Sequence, residues 1–291
     1  MGYVLLVIGH LLGDFYFQSN ETARTKLYNV RRLLLHCLIY GIIQGIMVLI
    51  GFSIKYAWLI LGIIVLSHGL IDYLKIAILQ KFENRSDQAK INLILFITDQ
   101  ILHLGVIIIL LFTQPMNAEY SYVLQNAAGD INIWEIEKYT WLLTAYLICG
   151  KPAAVFVKLL LFTLDSQGRK DYYTVPAKKQ YNETELYYTV TVEPITDKSA
   201  GKQTGYNVKT MENKNIGAVI GILEREIILT LSLLGQFAAI GFVITAKSIA
   251  RFKQLEDKDF AEKYLIGTLT SAFIAIGCAV LFSGKILHNL L

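Results

Sequence analysis

The sequence predicts an all-α, polytopic integral membrane helix bundle of about seven helices with a small soluble insert. Hydrophobic residues make up 54% of the 291 residues and charged residues only 17%, too few charges to cover a soluble surface. Crossing about 30 Å of hydrocarbon takes roughly 20 apolar residues in a helix. Runs of that kind are Tyr3–Phe17, Leu33–Phe52, Ala57–Leu79, Ile91–Phe112, Trp141–Phe162, Ile227–Ala246 and Leu265–Leu287. The charges fall mainly between the runs.

The first run is short. No basic stretch precedes it and no small-residue cleavage site follows, so it reads as a span and not a signal peptide. Lys and Arg placement orients the next helices. The loop after helix 1 carries Arg24, Lys26, Arg31 and Arg32, and that after helix 3 carries Lys75, Lys81, Arg85 and Lys90. The stretch after helix 4 is acidic, with Glu119, Asp130, Glu135 and Glu137. A bacterial inner-membrane protein with its N-terminus outside and its first two basic loops in the cytoplasm is expected.

In the fifth run, Gly150–Lys151–Pro152 is a candidate helix break. Beyond it, the stretches Asp165–Asn215 and Lys247–Lys263 are both basic, yet a single apolar run separates them. Either a hairpin or re-entrant piece lies in this half, or one basic segment is outside. The expected division is therefore a four-helix core (1–113), an extracytoplasmic loop (114–137), a membrane helix (138–164), a polar insert (165–215) and C-terminal membrane helices with a basic amphipathic linker (216–291). The insert alternates like a strand at Leu186–Val192.

The net charge of +4 lies in loops that anchor membrane helices, and no nucleic-acid partner is expected. Cys37, Cys149 and Cys278 sit singly in apolar runs and read as small buried hydrophobes.

The chemistry sits in three pairs: His10 and Asp14, His68 and Asp72, Asp99 and His103. Four residues separate the members of each, which puts both side chains on one helical face, one turn apart, within reach of one ion. At a rise of about 1.5 Å per residue, these pairs and His36 fall at overlapping depth near the cytoplasmic end of four helices. Each Asp at a helix centre costs about 2.5–3.5 kcal/mol to insert, and a divalent cation offsets that cost. Imidazole with carboxylate suits zinc, manganese or iron, with zinc the first choice. The plainer alternative is a set of interhelical polar locks. Gln18, His36 and Gln100 stand beside the pairs, placed to orient ligands by hydrogen bonds or to join helices. Arg225, Lys247 and Arg251 form a candidate cationic rim for an anionic headgroup, or a basic edge that snorkels to the interface.

The segments HLLGDFYFQ (His10–Gln18), LLLHCLIY (Leu33–Tyr40), SHGLIDYLK (Ser67–Lys75) and TDQILHL (Thr98–Leu104) together resemble a bacterial membrane family known as domain of unknown function 3307. Gly221–Phe242 and Ala246–Ser271 are similar to the C-terminal half of its longer members. The resemblance implies that His10, Asp14, Gln18, His36, His68, Asp72, Asp99, Gln100 and His103 occupy the family's recurrent polar positions. It implies no activity. The layout is also reminiscent of metal-dependent membrane hydrolases, by analogy alone.

The leading expectation is a metal-dependent intramembrane hydrolase. It would act on a lipid-linked ester, phosphoester or peptide, with metal on His10, Asp14, His68, Asp72, Asp99 and His103 and with Asp99 as base. A cation, metal or proton-coupled transporter and a non-catalytic scaffold or sensor with a structural metal are the alternatives. Self-association is left open.

Overall fold

Hydrocarbon offers no water to backbone N–H and C=O groups, so each apolar run must close its hydrogen bonds within itself. In the computed structural model, residues 1–82, 87–112, 133–164, 190–196, 203–210 and 214–286 are described. Helix α1 (Gly2–Leu11) passes into a wide turn, Leu12–Tyr16, closed by an i→i+5 bond from the Phe17 N–H to the Leu12 carbonyl (2.8 Å). Ser19 caps the short α2 (Asn20–Thr25) through its hydroxyl. The rest of the N-terminal bundle is α3 (Val30–Gly51), α4 (Ile54–Lys81) and α5 (Gln88–Leu111). Beyond it lie α6 (Ile133–Cys149) and α7 (Lys151–Leu164), which meet at Gly150. The later helices are α8 (Lys214–Leu233), α9 (Phe237–Ala250) and α10 (Lys258–Ile286).

Among the described residues five helices are long and apolar enough to cross a membrane: Val30–Gly51, Ile54–Lys81, Gln88–Leu111, Glu135–Leu164 and Lys258–Ile286. Their outward faces carry large exposed apolar side chains, among them Leu38, Trp58, Leu66, Ile109, Phe273 and Leu281. Water would not tolerate such a surface and lipid requires it. The chain is an all-α membrane bundle.

Helix α1 is the innermost of the first half, packed against α3, α5 and α6. Leu6, Val48, Phe52, Ile60, Ile107 and Leu110 form an apolar core among α1, α3, α4 and α5. In the second half α10 packs on α6, α7 and α8. Their core is rich in small residues, Ala145, Cys149, Ala272, Ala275, Cys278 and Ala279, which let helix backbones approach closely. The expected loop at 114–137 lies outside the described residues up to 132. Of the insert at 165–215, the described part contains an antiparallel hairpin of β1 (Val190–Thr196) and β2 (Gln203–Thr210). Its alternating stretch Leu186–Val192 is described only from Val190.

One expected span is two helices. The run Ile227–Ala246 is divided at Gly235, whose φ of 69° is the left-handed conformation that glycine adopts without strain. The Gln236 N–H reaches back to the Leu231 carbonyl (2.8 Å) and closes α8. Helix α9 then returns along α8, and Lys247 meets Glu224 at 2.5 Å. Hydropathy misses this because the turn residues Leu234, Gly235 and Gln236 do not interrupt the apolar average. The hairpin also resolves the conflict in charge placement, since it brings the basic starts of α8 and of the segment after α9 to the same side. In a protein with its three cysteines replaced by alanine, single cysteines at Lys214 and Lys253 should react with a membrane-impermeant maleimide from the same face. Labelling from opposite faces would contradict the hairpin.

Candidate metal centre

The buried stripe of α4 is Ile60, Ile64, His68, Asp72 and Ile76, one residue every four. A stripe of that period faces neighbouring helices along its length, so the two polar residues point where the isoleucines point. On α3, His36, Tyr40 and Gln44 follow the same spacing, and on α5 Asp99, His103 and Ile107 do so. On α1, His10 ends the regular helix and Asp14 lies in the wide turn. The polar residues of four helices therefore meet.

They form one hydrogen-bonded cluster. His36 Nε2 lies 3.1 Å from His68 Nε2, 3.2 Å from Asp14 Oδ1 and 3.3 Å from Asp72 Oδ2. His68 Nε2 is 3.9 Å from both carboxylates. Gln100 Nε2 donates to Asp99 Oδ2 (3.0 Å) and Asp14 Oδ2 (3.5 Å), while Gln100 Oε1 faces His10 Nε2 at 3.1 Å. The Tyr40 ring stacks on His68 with centroids 3.6 Å apart, and its hydroxyl faces His10 Nδ1 at 3.4 Å. His10 stacks on His103 at 4.9 Å. With its amide oriented to match donors with acceptors, Gln18 donates to the Asp14 carbonyl (2.8 Å) and accepts from Lys26 (3.0 Å).

Among the described residues two triads have ligand atoms within 4.8 Å of one another: His10, Asp14 and His103, and Asp14, His36 and His68. Asp14 belongs to both. His36, expected beside the ligands, stands among them. The His103 Nδ1 lies 2.8 Å from the Asp99 backbone carbonyl. A carbonyl only accepts, so Nδ1 carries the proton and Nε2 keeps its lone pair, the tautomer of a metal ligand. His103 Nε2 is buried without a hydrogen-bond partner, as are Asp99 Oδ1 and His68 Nδ1. Orphaned polar atoms in an apolar setting are costly, and these three belong to residues of the one cluster. The donor set of imidazoles and carboxylates fits a divalent transition metal.

Two cations of the cluster escape sequence reasoning. Lys26 Nζ donates to Asp72 Oδ2 at 2.7 Å and Lys75 Nζ to Asp99 Oδ2 at 2.8 Å. In a sequence both merge with the basic loops of a membrane protein. Lys75 follows Asp72 by three residues, which suggests a pair along α4, yet it reaches across to α5. Two of the three carboxylates are thus balanced by lysine, and the energetic case for a cation rests on Asp14.

The basic groups expected at the mouth of the site lie elsewhere. Arg225 is 2% exposed and donates to the carbonyls of Cys149 (2.6 Å) and Gly150 (3.3 Å) and to Ser271 (3.4 Å). Lys247 pairs with Glu224, and Arg251 with Gln254 at 2.8 Å. None touches the cluster in these contacts. The broken helix offers Arg225 the carbonyls of Cys149 and Gly150 as acceptors.

Removing one partner of a buried ion pair strands the other, at a cost of about 3–5 kcal/mol. Lys26→Met should destabilise the detergent-solubilised protein by about that amount, and adding Asp72→Asn should recover most of it. Unfolding titrations of both variants check this, and a double variant no better than Lys26→Met would contradict it.

Residues 3–128 match the family model described as "Protein of unknown function (DUF3307)". No curated protein and no solved structure matches the chain. The matched residues carry α1 to α5 and the whole of the cluster, so it is this first part of the chain that is similar to the DUF3307 family.

Proposed function

We propose that this chain is a metal-dependent hydrolase that works within the bacterial cytoplasmic membrane, near its cytoplasmic leaflet, on the phosphoester of a membrane-associated substrate. The observation that carries the reading is the sharing of Asp14 between two His/Asp triads. A carboxylate common to two imidazole pairs suits one ion or a bridged pair of ions. The holding residues would be His10, Asp14 and His103 on one side and Asp14, His36 and His68 on the other, with zinc the first choice. A divalent ion there supplies a Lewis acid and acidifies a bound water.

The protein's own groups have separate parts. Asp99 Oδ1, which lacks a hydrogen-bond partner, is the base that accepts a proton. Gln100 joins Asp99, Asp14 and His10 and holds their spacing. Lys26 holds Asp72. Its charge and that of Lys75 also decide among substrates. With neutral imidazoles, three carboxylates against two ammonium groups leave one negative charge. A single divalent ion turns that into a positive excess, which in low dielectric calls for an anion. A phosphoester supplies one, whereas a peptide or carboxylic ester does not.

The orientation follows from charge. With α8 and α9 as a returning hairpin, the basic segments after α1, α4, α7 and α9 share one side, and this supports an N-terminus on the outside. Toward that outer side, the apolar core of Leu6, Val48, Phe52, Ile60, Ile107 and Leu110 offers no relay for a proton or metal. This disfavours a transporter.

Elemental analysis of the purified chain should find about one or two divalent ions, lost in Asp14→Asn. Asp99→Asn should keep the metal and lower chelator-sensitive hydrolysis of bis(p-nitrophenyl) phosphate by at least about 100-fold. A metal-free wild type would leave only the interhelical polar lock. Asp72-dependent flux of metal or protons into dye-loaded liposomes would sink the hydrolase.

A further inference from the structure

We infer that Tyr16 is a positioning residue for Asp14, locked by the broken helix α6–α7, so that the second half of the chain sets the geometry of the metal centre. The inference rests on the metal reading above for its consequence, and on separate contacts for its geometry.

The break begins with Pro152, which has no N–H to offer the carbonyl four residues before it and fits only the first turn of a new helix. Around it the backbone ladder is rebuilt with side chains. The Lys151 N–H does not close on Leu147. It donates to the Tyr16 hydroxyl (3.2 Å), and that hydroxyl donates in turn to the Leu147 carbonyl (3.0 Å). Tyr16 is thereby spliced into the hydrogen-bond ladder of another helix. The Arg225 guanidinium donates to the carbonyls of Cys149 and Gly150, beside the break, and ties them to Ser271 of α10. Gly150 is required by this fit, because a Cβ there would collide with the Tyr16 hydroxyl.

The other end of Tyr16 is held as well. Lys151 Nζ donates to the Tyr16 carbonyl (3.4 Å) and lies 5.4 Å from the centre of its ring. Tyr16 ends the wide turn Leu12–Tyr16, two residues from Asp14. A turn of this width is uncommon and recurs at functional sites. In a membrane a released hydroxyl or carbonyl finds no water, so the splice resists opening. The wide turn is therefore gripped at Tyr16, and Gln18 holds the Asp14 carbonyl. Asp14, the residue common to both triads, has its backbone fixed between them.

The test uses the full chain in detergent, with zinc as the probe. Tyr16→Phe keeps the ring and removes the hydroxyl, and Gly150→Ala displaces the hydroxyl. Each should weaken zinc binding about tenfold, as loss of a ligand's supporting bonds does, measured by competition with a chromophoric chelator. Combined, they should weaken it little more than either alone, because both break the same splice. Hydrogen exchange of the zinc-stripped protein should rise across 12–17 and stay unchanged in the α3 and α4 segments around His36 and His68. Zinc affinity of Tyr16→Phe within twofold of the wild type overturns the inference. So does a rise in exchange spread evenly over the bundle, which marks a merely structural tyrosine. Should the wild type bind no zinc, the metal reading falls, and exchange at 12–17 alone decides the clamp: no rise overturns it. If Tyr16→Phe and Gly150→Ala do not fold, Lys151→Met should give the same local rise, and its absence overturns the proposal.

Discussion

Three carboxylates buried among helices with lipid-facing flanks must be balanced inside the protein, because hydrocarbon supplies neither counter-ions nor water. That requirement organises the first half of the chain. It aligns the polar residues of α1, α3, α4 and α5 on the faces that meet, brings Lys26 to Asp72 and Lys75 to Asp99, and makes Gln100 a three-way connector. Two carboxylates are satisfied by lysine. Asp14 is left with imidazoles and an amide, and it is Asp14 that joins both triads. The same rule of satisfaction, applied to backbone groups, organises the second half. Where Pro152 interrupts a helix, Tyr16 bridges the Lys151 N–H and the Leu147 carbonyl, and Arg225 donates to the carbonyls of Cys149 and Gly150.

The two halves are therefore complementary in a physical sense. The cluster needs a wide turn to present Asp14, and such a turn lacks the regular ladder that would hold it. The broken helix needs donors and acceptors from outside, and Tyr16 has both in one hydroxyl. Each irregularity is completed by the other. Leu147 of α6, packed among Val4, Leu5, Ile8 and Leu11 of the first helix, brings the break against α1 for this exchange.

Much of this arrangement is legible in the sequence, and the reasons for the rest are specific. The membrane class and the pairing of His and Asp at four-residue spacing follow from composition and helical geometry. The gathering of those pairs follows from depth. Lys26 and Lys75 are hidden because a basic residue at a helix end is the commonest feature of a cytoplasmic loop, and nothing local separates an anchor from a counter-ion. Arg225 misleads for the opposite reason. A cation in an apolar run suggests an anionic ligand, while the backbone carbonyls it serves belong to a segment some 75 residues earlier. The α8–α9 hairpin is hidden because its turn is apolar apart from Gln236 and one glycine. Tyr16 carries no signal at all, since a tyrosine at a helix end reads as an interfacial anchor.

The most direct measurement of the central claim is X-ray absorption at the metal edge of the purified protein. The account predicts a stoichiometric divalent metal with a nitrogen and oxygen shell at about 2.0–2.2 Å and the outer-shell scattering of imidazole. A protein with no metal edge, a sulfur shell at about 2.3 Å, or a shell without imidazole would contradict it.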